Sequence, residues 1–212
     1  TGAKFETFTS SGTFTPAAGK SNFLVICTGG GGGAGGVSNH GNGYWGGAGG
    51  GGAGTAIRFY NSTEMGSSAA CTVGAGGAAQ SNTRDNGNNG SDSVFNPQGT
   101  GQTITGLHGG QSSVAYNANE TDGSSSYRMG RPGWPGYGIN GMINITGEKA
   151  EFQDINNYTG ATASGINISD MRSSGGGTFW GKGPGAGADG AWSTTSVVGA
   201  EGSKGIIVVL SW

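Results

Sequence analysis

The stretch Asn22-Phe23-Leu24-Val25-Ile26-Cys27-Thr28-Gly29-Gly30-Gly31-Gly32-Gly33-Ala34-Gly35-Gly36 joins two unlike kinds of backbone without a break. Its first half is a continuous apolar run of strand length, which reads as a strand covered on both faces. Its second half carries no side chain larger than a methyl group, so side-chain packing cannot hold it. The fold depends on what a glycine tract does when a core strand runs straight into it.

Outward from that stretch, the other terminus supplies a matching run, Gly205-Ile206-Ile207-Val208-Val209-Leu210-Ser211-Trp212. A chain that ends inside such a strand has its terminus tied into a sheet, so the two runs are expected to be neighbours. Residues 4–15 alternate in the strand manner, with Phe5 and Phe8 in one run and Phe14 in a second, and Ser10-Ser11-Gly12 between them reads as a short hairpin. Pro16 to Lys20 breaks the pattern. Weaker strands are expected over 55–60, 69–73, 102–107 and 142–146, and helical periodicity is absent throughout. The expected fold is all-β and irregular, one domain over 1–212. Residues 1–28 and 205–212 form a short β-sandwich framework, and 29–204 supply glycine tracts alternating with long display loops.

Composition agrees. Of 212 residues, 50 are glycine, about 24% where roughly 7% is usual. Lys and Arg number 10, Asp and Glu 12, and the net charge is −2, so a nucleic-acid binder or an acidic solvating tail is not expected. Leu, Ile, Val and Phe together number 31, below the share at which disorder becomes plausible, but the high net charge that accompanies disorder is missing. No run of 18 apolar residues occurs, so no transmembrane helix and no membrane insertion are expected. The start, Thr1-Gly2-Ala3-Lys4, is neither a signal peptide nor an initiator methionine, as in a fragment or processed product.

The tracts lie at 29–36, 46–54, 74–77, 106–110, 130–141 and 175–190, with polar inserts at 80–93, 117–127 and 153–174. Flexible linkers would leave half the chain without structure between two well-made strands. Phosphate cradles need a following helix or a closing Lys-Ser/Thr, and neither is present. The favoured reading is extended glycine backbone packed side by side, either as left-handed helices of three residues per turn or as flat strands without side chains. Ordered glycine costs about 0.5–1 kcal/mol relative to alanine. Close backbone approach that alanine would block is what offsets it.

The pieces Phe8-Thr9-Ser10-Ser11-Gly12-Thr13-Phe14-Thr15-Pro16, the strand to Cys27, and Thr28 with the tract 29–36 resemble the glycine-rich tip domain at the C-terminus of bacteriophage tail fibres. The resemblance continues through 46–54, Thr72-Val73-Gly74-Ala75-Gly76-Gly77, Gly185-Ala186-Gly187-Ala188-Asp189-Gly190 and the closing run 202–212. More weakly, the alternation of tracts and inserts is similar to the adhesins that cap the long tail fibres of T-even phages. The resemblance implies a receptor-binding tip at the distal end of a fibre on a virion, joined to the rest of the fibre. Its target would be a bacterial outer-membrane protein or surface glycan. It also implies a homotrimer, with a monomeric cap on a trimeric shaft as the alternative, and association is expected to bury the Phe5, Phe8 and Phe14 faces.

Aromatic residues in loop-like surroundings are the candidate receptor contacts: Tyr44, Trp45, Tyr127, Arg131, Trp134, Tyr137, Trp180 and Trp192. Rings with polar handles give large contact area at small entropic cost, and Trp, Tyr and Arg supply most interface anchors. In a core short of Leu and Val, the same rings could instead be the core. Glycine recurs every third residue at 130, 133 and 136, which suits a polyproline-type segment. His40 and His108 are isolated, so neither a metal site nor a Ser-His-Asp arrangement is expected, and no cofactor is. Glu148, Glu151 and Asp154, or Glu120 with Asp122, would be the carboxylates of a glycan depolymerase, the enzymatic alternative to a non-enzymatic adhesin. A structural or ice-binding glycine-rich protein ranks behind both, because the tracts are irregular. Cys27 and Cys71 are expected as buried free thiols, with a disulfide as the alternative.

Overall fold

The apolar runs that flank the tracts nucleate a sandwich, and the tracts extend from it. The computed structural model describes residues 2–36, 45–46, 48–78, 80, 85–113, 128–129, 133–150, 184–188, 192–193 and 198–212. In chain order the elements are β1 (Lys4–Phe8), β2 (Gly12–Phe14), β3 (Asn22–Thr28), β4 (Trp45–Gly46), β5 (Thr55–Asn61), α1 (Ser62–Met65), β6 (Ala69–Thr72) and β7 (Ser93–Pro97). They continue as β8 (Ile104–Gly106), β9 (Arg128–Met129), β10 (Gly138–Ile139), β11 (Ile143–Ile145), β12 (Trp192–Ser193) and β13 (Ile206–Ser211). One antiparallel sheet has the order β1-β13-β3-β5-β11, a second the order β10-β8-β7-β6-β2, and a small third the order β12-β4-β9. The fold is all-β. The one described helix is a single turn, closed by a capping box in which Asn61 Oδ1 accepts from the Glu64 N–H and Glu64 Oε2 from the Asn61 N–H.

As expected, the two terminal runs are neighbours: β13 pairs with β3 from Ile206↔Thr28 to Ser211↔Phe23. Strand alternation turns Phe23, Val25, Cys27, Ile207 and Val209 inward. They meet Phe14, Cys71, Phe95 and Ile104 of the second sheet in one buried cluster. Phe14 packs edge-on against Phe23 with ring centroids 5.9 Å apart. Tyr60 lies within the cluster and keeps its hydroxyl satisfied by donating to the Gln102 carbonyl at 2.8 Å.

Three expectations change. Residues 4–15 are not a hairpin: β1 pairs with β13 in the first sheet and β2 with β6 in the second, because the bend at Thr9–Ser10 sends Phe14 into the core. β3 is covered on its inner face only. Its outer row Phe5, Leu210, Leu24 and Phe59, set side by side by the strand register, is partly open, with Phe5 66% and Phe59 38% exposed. Of Phe5, Phe8 and Phe14, only Phe5 is left for association, since Phe14 is core and Phe8 packs against it.

The glycine tracts form a lattice whose hydrogen bonds repeat every third residue. Gly29 and Gly32 donate to the carbonyls of Gly54 and Gly51; Gly30 and Gly33 to Ser91 and Asn88; Gly31 and Ala34 to Ser203 and Ala200. In each case the donor advances by three residues while the acceptor retreats by three, so the partner segment runs antiparallel. The central carbonyls receive from three other segments: Gly30 from Gly109, Gly31 from Gly77, Gly32 from Ala188, and Gly33 from Ser112. Successive N–H groups thus point in three directions, the geometry of a helix with three residues per turn and no internal hydrogen bonds. Among the described tract glycines only Gly185 has positive φ, so the rest keep the hand of polyproline II. Period three recurs outside the centre: Gly50 and Ala53 donate to Ala188 and Gly185, Gly51 and Gly54 to Gly110 and Leu107, and Gly87 and Gly90 to Ser112 and Gly109. Of the two arrangements, packed helices rather than flat strands are what the described parts of the tracts adopt; residues 47, 130–132, 175–183 and 189–190 lie outside the described residues.

Side-chain-free backbone is what lets these segments approach. A Cβ built on Gly31 would overlap the Ala186 carbonyl, and one on Gly32 the Gly110 carbonyl. Gly31→Ala is expected to destabilise the chain by about 3 kcal/mol or more in urea unfolding. Gly2→Ala, whose Cβ meets nothing within 4 Å, is expected to change stability by less than about 0.5 kcal/mol.

Cys27 and Cys71 are both free and buried, on facing sheets. Burial pushes the Cys27 thiol up to about 12 and the Cys71 thiol up to about 11. Their unfolded counterparts ionise first, near the ordinary value of 9.0, so between there and the folded values the native state holds more protons and stability falls as pH rises. Unfolding curves from pH 8 to 11 should show that fall, and Cys27→Ala should make it shallower, with Cys71 and the buried Tyr60 supplying the remainder. An aromatic disulfide reagent at pH 8 should label neither thiol until the chain is unfolded.

Candidate functional site

Most lattice segments continue a strand of the sandwich, so the sandwich sets where they start; 184–188 adjoins none. Strand β3 leads into 29–36, β6 into 74–78 and β8 into 107–112, while 48–54 leads into β5, 85–92 into β7 and 198–205 into β13. At about 3.1 Å per residue, the segment 29–36 carries the lattice roughly 22–25 Å away from the sandwich.

Four inserts between lattice segments, at 37–47, 79–84, 114–132 and 189–197, have their flanks at that far end. Residue 36 is bonded to Asp85, which brings the flanks of 37–44 and 79–84 together. Ser112 is fully buried there, donating through Oγ to the Ala48 carbonyl at 2.7 Å and accepting from the Gly35 N–H at 2.8 Å, and Gly133 donates to Gly49. The flanks of the insert between 113 and 133 are thereby gathered beside them. Ala188 donates to Gly32, and Ala200 accepts from Ala34, at the same end. The segment between 150 and 184 differs, since Gly185 is bonded to Ala53 and Lys204 close to the sandwich. Strand β13 ends, and β1 begins, at the opposite end of the molecule.

Two of the expected contact residues lie in the small sheet beyond the far end. Trp192 pairs with Gly46, Trp45 with Ser193, and β4 runs parallel to Arg128–Met129 of β9. Backbone pairing therefore joins the Trp45, Arg128 and Trp192 regions, which are remote in sequence. Tyr44, Tyr127, Arg131 and Trp180 lie outside the described residues, as do His40, Glu120, Asp122, Glu151 and Asp154.

Trp134 and Tyr137 stand on the side of the lattice, exposed by 72% and 54%, so these two rings are not core. Gly133 and Gly136 pack inward while Trp134 and Tyr137 face out, as period three requires. The ring positions are held by the backbone: the Gly110 N–H donates to the Trp134 carbonyl at 2.6 Å, and the Leu107 N–H to that of Tyr137 at 3.0 Å. Lys149 Nζ sits 5.0 Å from the Trp134 ring centroid, a cation–π contact. Between these rings and the next segments is a cleft of about 300 Å³ whose lining includes Asn89, His108, Gly110, Trp134 and Tyr137.

The polar wall of that cleft was not visible as a site in the sequence. His108 is hydrogen-bonded within the described residues: its Nδ1 lies 2.6 Å from Asp92 Oδ1, which also accepts from the His108 N–H at 2.9 Å. One step of three along, the Gln111 N–H donates to Asn89 Oδ1 at 2.8 Å. Side-chain oxygens here take the place of backbone acceptors. The signal that could have found them is the shared i, i+3 spacing of His108 with Gln111, Asn89 with Asp92, and Trp134 with Tyr137.

Among the described residues no group of three or more His, Cys, Asp and Glu could hold a metal ion, and no helix is long and apolar enough to cross a membrane. A family model for a glycine-rich domain matches residues 7–211. The chain belongs to that glycine-rich domain family. None of the curated proteins matches it.

Proposed function

We propose that the chain is the receptor-binding tip of a bacteriophage tail fibre, a non-enzymatic adhesin at the fibre's distal end that recognises an outer-membrane protein or a surface glycan of a bacterium. The observation that carries this reading is the gathering of four insert flanks at one end of a rigid lattice, opposite the end where β1 begins and β13 finishes. Binding residues are disproportionately placed on loops that a rigid scaffold positions. The small sheet that joins Trp45, Arg128 and Trp192 lies at that same end, and the exposed Trp134 and Tyr137 add contact area on the side. No cofactor enters the reading.

In this reading the rest of the fibre attaches at the opposite end, where the outer row Phe5, Leu210, Leu24 and Phe59 offers apolar surface. The proposed assembly is a homotrimer, with a monomeric cap on a trimeric shaft as the alternative. Light scattering on the purified chain should give three times the chain mass of 20.8 kDa; a value equal to it would select the cap.

The purified chain should bind cells of a susceptible bacterial strain and block adsorption of the phage that infects it. Substituting Trp45 and Trp192 with alanine together should weaken cell binding by about tenfold or more. A chain that neither binds cells nor blocks adsorption on any susceptible strain overturns the reading.

A further inference from the structure

We propose that the side wall formed by residues 87–92, 107–112 and 133–137 is a binding strip for an extended glycan. The inference rests on the adhesin reading and names the ligand class for one surface of it. In a helix of three residues per turn, residues i and i+3 share a face and stand about 9 Å apart. Trp134 and Tyr137 therefore form an aromatic column. The neighbouring segment carries His108 and Gln111 at the same pitch, and the one beyond carries Asp92 and Asn89, bonded to them rung by rung. Backbone bonds tie the columns into register, since Gly110 and Leu107 donate to Trp134 and Tyr137 themselves.

A sugar ring presents a flat face of C–H bonds to an aromatic ring and a rim of hydroxyls to polar groups beside it. The wall offers both in one repeat. The indole of Trp134 and the phenol of Tyr137 are open to solvent on a backbone that does not need to be ordered on binding, which keeps the entropic cost low. Asn89 Oδ1 is held by the Gln111 N–H, leaving its amide N–H groups to donate. His108 Nδ1 is engaged by Asp92, leaving Nε2 as the ring's remaining polar atom. Lys149, against the Trp134 ring, adds a donor at one end of the strip. An extended polysaccharide returns to the same ring orientation every second sugar, which suits columns with a fixed repeat. The cleft's apolar lining, Leu107, Pro135 and the two rings, is bordered by Asn89 and His108, which pairs a face for C–H bonds with an edge for hydroxyls.

The test uses the intact chain, fluorescently labelled, on a panel of bacterial strains. Cells are treated either with periodate, which cleaves vicinal diols of glycans, or with protease. The expected result is that periodate abolishes binding, protease leaves it, and Trp134→Ala and Tyr137→Ala each weaken it by roughly tenfold. Met142→Ala, an equally exposed residue outside the cleft, should bind as the parent does, and all variants should melt at the parent's temperature. Binding removed by protease and not by periodate overturns the glycan inference and leaves the adhesin reading standing, with a protein receptor. Unchanged binding of both aromatic variants overturns it as well. Failure of the parent chain to bind any strain overturns the adhesin reading and this inference together.

Discussion

The hydrogen bond between one glycine backbone and the next, made at a distance that leaves no room for a Cβ, is the interaction on which the rest of this structure depends. Buried peptide groups must be paired, and a β-sheet pairs them in one plane only. A three-residue helix points successive N–H groups to three sides, so pairing extends in all directions around the central segment 29–36. Glycine is demanded by this geometry wherever the Cβ would point at a neighbouring carbonyl. Alanine is accommodated at positions such as Ala34, Ala53 and Ala188, which are fully buried.

The lattice cannot set its own register, because one glycine is like the next and a slip by three residues would restore most of its bonds. The sandwich removes that ambiguity. Cross-strand pairs such as Leu24↔Phe59, Ile26↔Val208 and Cys71↔Phe95 differ in shape, so β3, β5, β13, β6 and β7 have one register. At the seam, Thr28 and Thr55 share a buried hydroxyl pair at 2.7 Å, where both segments meet the lattice. Polar side chains complete the pairing where a backbone acceptor is missing, as Ser93 does for the Gly74 N–H. A conventional core thus fixes the alignment of adjoining segments that have few side chains with which to align themselves.

This division explains what was legible. Strands β3 and β13 and their pairing follow from two apolar runs, which carry side-chain information. The hairpin over 4–15 was misread because Phe8 and Phe14 look alike in sequence, and only the third dimension sends them to different sheets. Strand β7 was missed because Ser93 to Pro97 follows an Asn- and Ser-rich stretch and holds only Val94 and Phe95 as apolar residues. Period three was hidden inside the tracts, where glycine leaves no pattern, and it surfaced only where a tract carries side chains, at Trp134 with Tyr137 and His108 with Gln111. The aromatic half of the cleft was therefore readable from residue type. The polar half was not, since Asn89 and Asp92 lie in a different segment from His108 and Gln111, and only the antiparallel packing of the two brings them together.

The same separation bears on how side chains are displayed on such a scaffold. Among the described residues, the lattice is held by backbone bonds and the sandwich by its buried core. In an ordinary sandwich the loops share residues with the core, so a new loop sequence perturbs the packing beneath it. Here the residues that anchor an insert are mostly glycine and alanine, as at Gly36, Ala78 and Ala188, and their bonds are indifferent to the sequence of the insert. The constraint falls instead on the lattice wall, where every third position faces out and its spacing is set by the helix. Side chains on that wall therefore recur at a fixed repeat of about 9 Å.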